Sequence, residues 1–118
     1  MLIVLSAMQP VFLYITADTP HEAASLGRTL VEERLAACVN ILGGVTSFYW
    51  WEGAVQKGAE TALIAKTREE LTDAVIERIK SLHGYTCPCV VRLPITGGNP
   101  AFIAWIENET KGPDESPG

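Results

Sequence analysis

Residues 37–53 read ACVNILGGVTSFYWWEG, and residues 54–66 return as AVQKGAETALIAK. Val39 and Ile41 alternate with Cys38 and Asn40, the period of two that marks a strand with distinct faces. Gly43–Gly44 interrupts the run, as a bulge or bend does. The strand resumes at Val45 and ends in four consecutive aromatics: Phe48, Tyr49, Trp50 and Trp51. Glu52–Gly53 gives a turn. A return strand is expected from about Val55 to Lys66, polar first and apolar over residues 62–65. Strands usually run to about five or six residues, so a hairpin with arms this long dominates the reading. Its tip points aromatic side chains to both faces of the ribbon. Water cannot be kept from both faces within one chain, so covering surface from a second subunit is expected. Phe48 and Trp50 are expected to pack in that assembly. A platform of stacked aromatics for a ligand is the competing reading.

Val11–Thr16, before the hairpin, is apolar on both faces. That suits a central strand covered on two sides, or covered on one and packed in an oligomer. Thr19 as N-cap, Pro20 at the first helical position and Glu22 three after Thr19 predict a helix start. Ala23, Leu26, Gly27 and Leu30 share its inner face, and the helix should end near Leu35. After the hairpin, Thr67 and Glu70 repeat the same spacing, which predicts a second helix capped by Thr67. Leu71, Val75, Ile79 and Leu82 form its expected buried stripe, and His83–Gly84 its end. A last strand is expected over Cys89–Ile95 and a short helix over Ala101–Glu107. The order β-α-β-β-α-β plus a short terminal helix predicts an α+β fold, the ferredoxin-like sandwich with two helices on one face of an antiparallel sheet. Residues 1–9 read as an N-terminal extension, either leader-like or lengthening the first strand. Residues 10–109 form the domain, and residues 110–118 read as a disordered tail.

The chain has 118 residues, 47% of them apolar, enough for one domain with an ordinary core. A formal net charge of -5 argues against nucleic acid and anionic membrane surfaces, which need clustered Lys and Arg. No stretch approaches the roughly 20 apolar residues of a membrane span. Three cysteines, Cys38, Cys87 and Cys89, read as reduced thiols of a cytoplasmic protein. Gly43–Gly44 and Gly97–Gly98 lack the spacing and the lysine of a phosphate loop, and no Gly-x-Ser-x-Gly elbow occurs. The expectation is therefore a protein that is not an enzyme. His21, in the first helical turn, reads as a solvated surface residue.

Three segments together carry a resemblance. They are Ala36–Ala37–Cys38–Val39–Asn40–Ile41, then Ser47–Phe48–Tyr49–Trp50–Trp51–Glu52–Gly53, then Glu60 through Lys66–Thr67. This set closely resembles the CutA family of divalent-ion tolerance proteins. His83–Gly84–Tyr85, Leu93–Pro94–Ile95 and Phe102 through Trp105–Ile106 fit the same family. The match spans about Val11 to Glu109. The resemblance implies a homotrimer built through the long hairpins, with an architecture like that of the PII signalling proteins. It also implies a link to copper and other divalent ions. No organic cofactor is expected.

One departure bears on chemistry. Where the family commonly reads His-Pro-Tyr-x-x-Pro-Glu, this chain has His83–Gly84–Tyr85–Thr86–Cys87–Pro88–Cys89. Cys89 replaces a carboxylate, and Cys87 adds a second thiol. An imidazole with two thiols is a soft donor set, suited to Cu(I) or Zn(II). His83, Cys87 and Cys89 are thus candidate metal ligands, with reduced thiols that bind nothing as the alternative. Cys38 reads as a buried structural thiol. Lys66, Glu60 and Glu52 could line a polar cleft or form interfacial salt bridges. In a PII-like reading, clefts between subunits would hold a small anion or metabolite against Tyr49, Trp51, Glu52, Lys66 and Tyr85.

Overall fold

The computed structural model describes residues 8–83 and 87–111. Most of the expected extension, Gly84, Tyr85 and Thr86, and most of the expected tail lie outside the described residues. Among the described residues, four strands, three α-helices and a 3₁₀ turn follow in order: β1 Pro10–Ala17, α1 Pro20–Glu32, β2 Cys38–Trp51, β3 Ala54–Arg68, the turn Glu69–Leu71, α2 Thr72–His83, β4 Val90–Pro94 and α3 Pro100–Glu109. The sheet runs β2-β3-β1-β4 with every neighbouring pair antiparallel. This is the expected ferredoxin-like α+β arrangement, in which β3 sits between β1 and β2 of the first βαβ unit.

Alternation along β1 sorts its side chains. Val11, Leu13, Ile15 and Ala17 are buried, while Phe12, Tyr14 and Thr16 are half-buried on the other face. Leu63 and Ala65 of β3 join the buried set, packed under Ala23, Leu26 and Leu30 of α1 and Val75 and Ile79 of α2. Gly27 lets α1 sit close to β2: a Cβ there would lie 3.0 Å from Val39 Cγ1. Both helices therefore cover one face of the sheet, and α3 packs against β3 and β1. The Glu33 carboxylate accepts two hydrogen bonds from the Arg78 guanidinium, at 2.9 and 2.7 Å, which ties α2 to the end of α1.

The hairpin has the expected length. Leu42 is the extra residue of a bulge, because the register passes from Ile41↔Leu63 to Gly43↔Ala62. Gly43 sits there at φ 110°, a conformation glycine enters at little cost. Trp51 pairs with Ala54, and Glu52 (φ 51°) and Gly53 (φ 79°) make the two-residue turn. Positive φ at both positions matches the right-handed twist of the arms. The ribbon stretches the molecule to 59 × 32 × 24 Å.

Helix starts split the two capping expectations. Thr19 Oγ1 accepts from Glu22 N–H, and Glu22 Oε2 accepts from Asp18 N–H, one residue further back than expected. Thr67 caps nothing: it is fully buried within β3, and its hydroxyl donates to Leu35 C=O at 2.7 Å. The chain turns instead at Glu69–Leu71, and Thr72 Oγ1 donates to Glu69 C=O. Leu82 also departs from its expected place. Leu71, Val75 and Ile79 are buried, but Leu82 is exposed. Smaller shifts occur at the ends: α1 stops at Glu32, β4 begins at Val90, and α3 runs on to Glu109.

Candidate metal and ligand sites

Three regions hold the chemistry. The first is the hairpin tip, where Trp50 is 74% exposed, Phe48 69% and Trp51 60%. Lys57 Nζ lies 6.0 Å from the Phe48 ring centroid, and a Cβ on Gly58 would come within 3.3 Å of the Tyr49 hydroxyl. Across the ribbon, Ser47 Oγ donates to Glu60 Oε1 at 2.7 Å, so Glu60 serves the hairpin itself.

The second region is the end of the sheet where β1 runs into α1. Thr16 N–H donates to Cys89 C=O at 3.4 Å, which sets Cys89 beside that end. His83 is the last residue of α2, and its Nδ1 stands 3.6 Å from Glu22 Oε1 in the first turn of α1. Cys87 and Cys89 are free and exposed. Among the described residues, no three His, Cys, Asp or Glu side chains are close enough together to hold a metal ion. One chain thus places an imidazole next to a carboxylate and leaves two thiols open to solvent, without joining them into one group. Glu22 as neighbour of His83 was missed in the sequence. Its capping role was legible, but nothing local relates residue 22 to residue 83.

The third region is the sheet face away from α1 and α2. Phe12 pairs with Lys66 on one side and Leu93 on the other; Tyr14 pairs with Ile64 and Val91. Leu93 and Val91 are exposed. Cys38 lies opposite Lys66 in the ladder and is half-buried, its thiol 3.8 Å from Asn40 Oδ1. This corrects the expectation of a core thiol. At the lower end of the face α3 roofs a cavity of about 370 Å³, lined by Phe12, Lys66, Ile95, Phe102, Ile103 and Ile106 among others. Lys66 Nζ lies 5.4 Å from the Phe102 ring centroid.

The residues expected to line a cleft do not meet in one chain. Trp51 pairs with Ala54, whereas Lys66 pairs with Cys38. Twelve steps of β3 separate those rungs, about 40 Å at strand rise. Tyr49, Trp51 and Glu52 belong to the tip and Lys66 to the base; Tyr85 lies outside the described residues. A cleft using both ends needs two copies.

These features define the class: a ferredoxin-like α+β domain with an over-long aromatic hairpin and an apolar sheet face. Residues 11–109 match the family described as CutA1 divalent ion tolerance protein, and the chain belongs to that family. It is 46% identical over 101 residues to "Protein CutA 1, chloroplastic" of Oryza sativa, covering 86% of this chain and 57% of the rice protein. Against the divalent-cation tolerance protein CutA of Archaeoglobus fulgidus it is 44% identical over 96 residues, 81% of this chain and 93% of the other. The chain therefore spans little more than half of that plant relative and nearly all of the archaeal one. The crystal structure of CutA1 from Oryza sativa superposes with a TM-score of 0.84 at 45% identity, covering 87% of this chain and 94% of that one. The Thermus thermophilus protein gives 0.84 at 41% identity, covering 86% and 99%.

Proposed function

We propose that this protein is a cytoplasmic homotrimer that binds divalent or soft metal ions, copper foremost, and contributes to metal-ion tolerance. The observation that carries the metal reading is the pair of exposed, free thiols at Cys87 and Cys89, at the same end of the sheet as His83. Thiolates select soft ions such as Cu(I), and both thiolate and imidazole suit Zn(II). Cu(I) accepts as few as two thiolates, so the reading needs only the two cysteines and no third ligand from the same chain. Glu22 stands beside His83 Nδ1 while His83 Nε2 is buried, so the metal reading rests on the thiols and not on the imidazole. The relatives' description as divalent-cation tolerance proteins points the same way.

Assembly is supported by the apolar surface itself. Phe48, Tyr49, Trp50, Trp51 and Val55 are all exposed on one ribbon, and large apolar side chains left open together mark an interaction surface. Packing each hairpin on a neighbour buries it, and cyclic closure satisfies all copies alike.

Calorimetric titration of the reduced protein with Cu(I), Cu(II) and Zn(II) tests the metal reading. Binding that weakens at least tenfold in the Cys87→Ser, Cys89→Ser double variant supports it. Equal affinity in wild type and variant removes the thiols from the account.

A further inference from the structure

We infer that the cavity beneath α3 is a binding site for a small amphipathic carboxylate, with an aromatic or branched apolar body and one anionic head. This goes beyond the metal reading, and neither depends on the other.

The site is built from parts distant in sequence. Phe12 comes from β1, Lys66 from β3, and Phe102, Ile103 and Ile106 from α3. Its volume of about 370 Å³ falls in the range of small-molecule sites. The walls are mostly apolar, which selects an apolar body by burial. Phe12 and Phe102 place two aromatic rings in the lining, which suits a ligand with a planar apolar group.

Charge fixes the head group. Lys66 is the one ionisable side chain among the described residues of the lining. It forms no salt bridge among the described residues and lies 5.4 Å from the Phe102 ring centroid. A ring is a weaker partner for an ammonium than a carboxylate is. A carboxylate in the cavity would therefore outcompete it. The same cavity borders the start of α3, capped by Asn99, and that first turn carries no acidic residue. The first amides of α3 are already taken, Ala101 N–H by Asn99 Oδ1 and Phe102 and Ile103 N–H by Asn99 C=O. The head is thus held by Lys66, with the positive end of the helix dipole favouring the same sign. A cationic or neutral ligand of equal shape lacks this term.

The experiment uses three matched probes, 3-phenylpropionate, 3-phenylpropanol and 3-phenylpropylamine, titrated into the full-length protein and followed by amide NMR shifts. The expected result is saturable movement of Gly98, Asn99, Phe102 and Ile103 with phenylpropionate, at least tenfold weaker with the alcohol and weaker still with the amine. Lys66→Met should abolish the preference for the acid, and Lys66→Arg should keep it. Ile103→Trp, which fills the cavity, should weaken all three. Equal binding of acid and alcohol to the wild type would overturn the assignment. So would shifts confined to the hairpin, or a cavity closed by a second copy of the chain, seen as no shift at these residues in the assembled protein.

Discussion

Trp51 and Lys66 stand at opposite ends of one antiparallel ladder, Trp51 opposite Ala54 and Lys66 opposite Cys38. Any site that uses both is assembled from two chains. The proposed trimer gives light scattering at micromolar concentration a mass three times that of the chain. Truncating an exposed aromatic anchor, Trp50→Ser, should weaken association roughly thirtyfold, the size of an interfacial tryptophan hot spot worth about 2 kcal/mol. A monomer in the wild type would remove the assembly from the account.

Thr67 donates to Leu35 C=O at 2.7 Å inside the core. Thr67→Val keeps the shape and leaves a buried carbonyl unpaired, which costs about 1–3 kcal/mol. Urea unfolding should show that loss, and Thr67→Ser should recover most of it. No loss in Thr67→Val would mean that the bond contributes nothing net.

This threonine also shows where reading the sequence stops. The hairpin was legible because alternation, Gly43, Glu52 and Gly53 are local signals. Thr19 and Thr67 carry the same local spacing, yet one caps a helix and the other does not. The buried carbonyl of Leu35 decides the difference, and it comes from 32 residues away. The cavity was illegible for the same reason: Phe12, Lys66 and Ile106 meet only through strand pairing and the docking of α3. Leu82 fits the helical period, but at 37% exposure it lies at the end of α2 beyond the reach of the core. The thiols at Cys87 and Cys89 were visible in the chain, though not their openness to solvent.

Arg68 fastens α3 to the sheet. Its side chain is 11% exposed and donates to Glu107 C=O at 2.6 Å, Thr110 C=O at 3.2 Å and Thr110 Oγ1 at 2.7 Å. A cation on the last carbonyls of a helix also complements its dipole. Arg68→Met should cost about 1.5–3 kcal/mol, the range for charged hydrogen bonds, and speed amide exchange in α3 before the rest of the fold. Unchanged exchange at Ile106 would show that α3 is held by its apolar side alone.

The hydrogen bonds from Arg78 hold the Glu33 carboxyl below the usual carboxylate value of 4.5, against the opposing effect of burial and with help from the positive charges of Arg78 and Lys111. A lowered folded value means stability that is present above the unfolded value and lost as pH falls through the folded one. The urea midpoint difference between wild type and Glu33→Gln should therefore exist at neutral pH and shrink below about pH 4.5. It should be small, because both side chains are more than a third exposed and solvent screens such pairs. A difference that grows on acidification would contradict the pairing.

The central claim is that thiols carry the metal. X-ray absorption at the copper edge of the reduced, copper-loaded protein reads the ligand atoms directly. The expected result is a sulfur shell that disappears in the Cys87→Ser, Cys89→Ser variant and persists in Cys38→Ser. A spectrum with nitrogen and oxygen neighbours alone, unchanged by the double substitution, would contradict it.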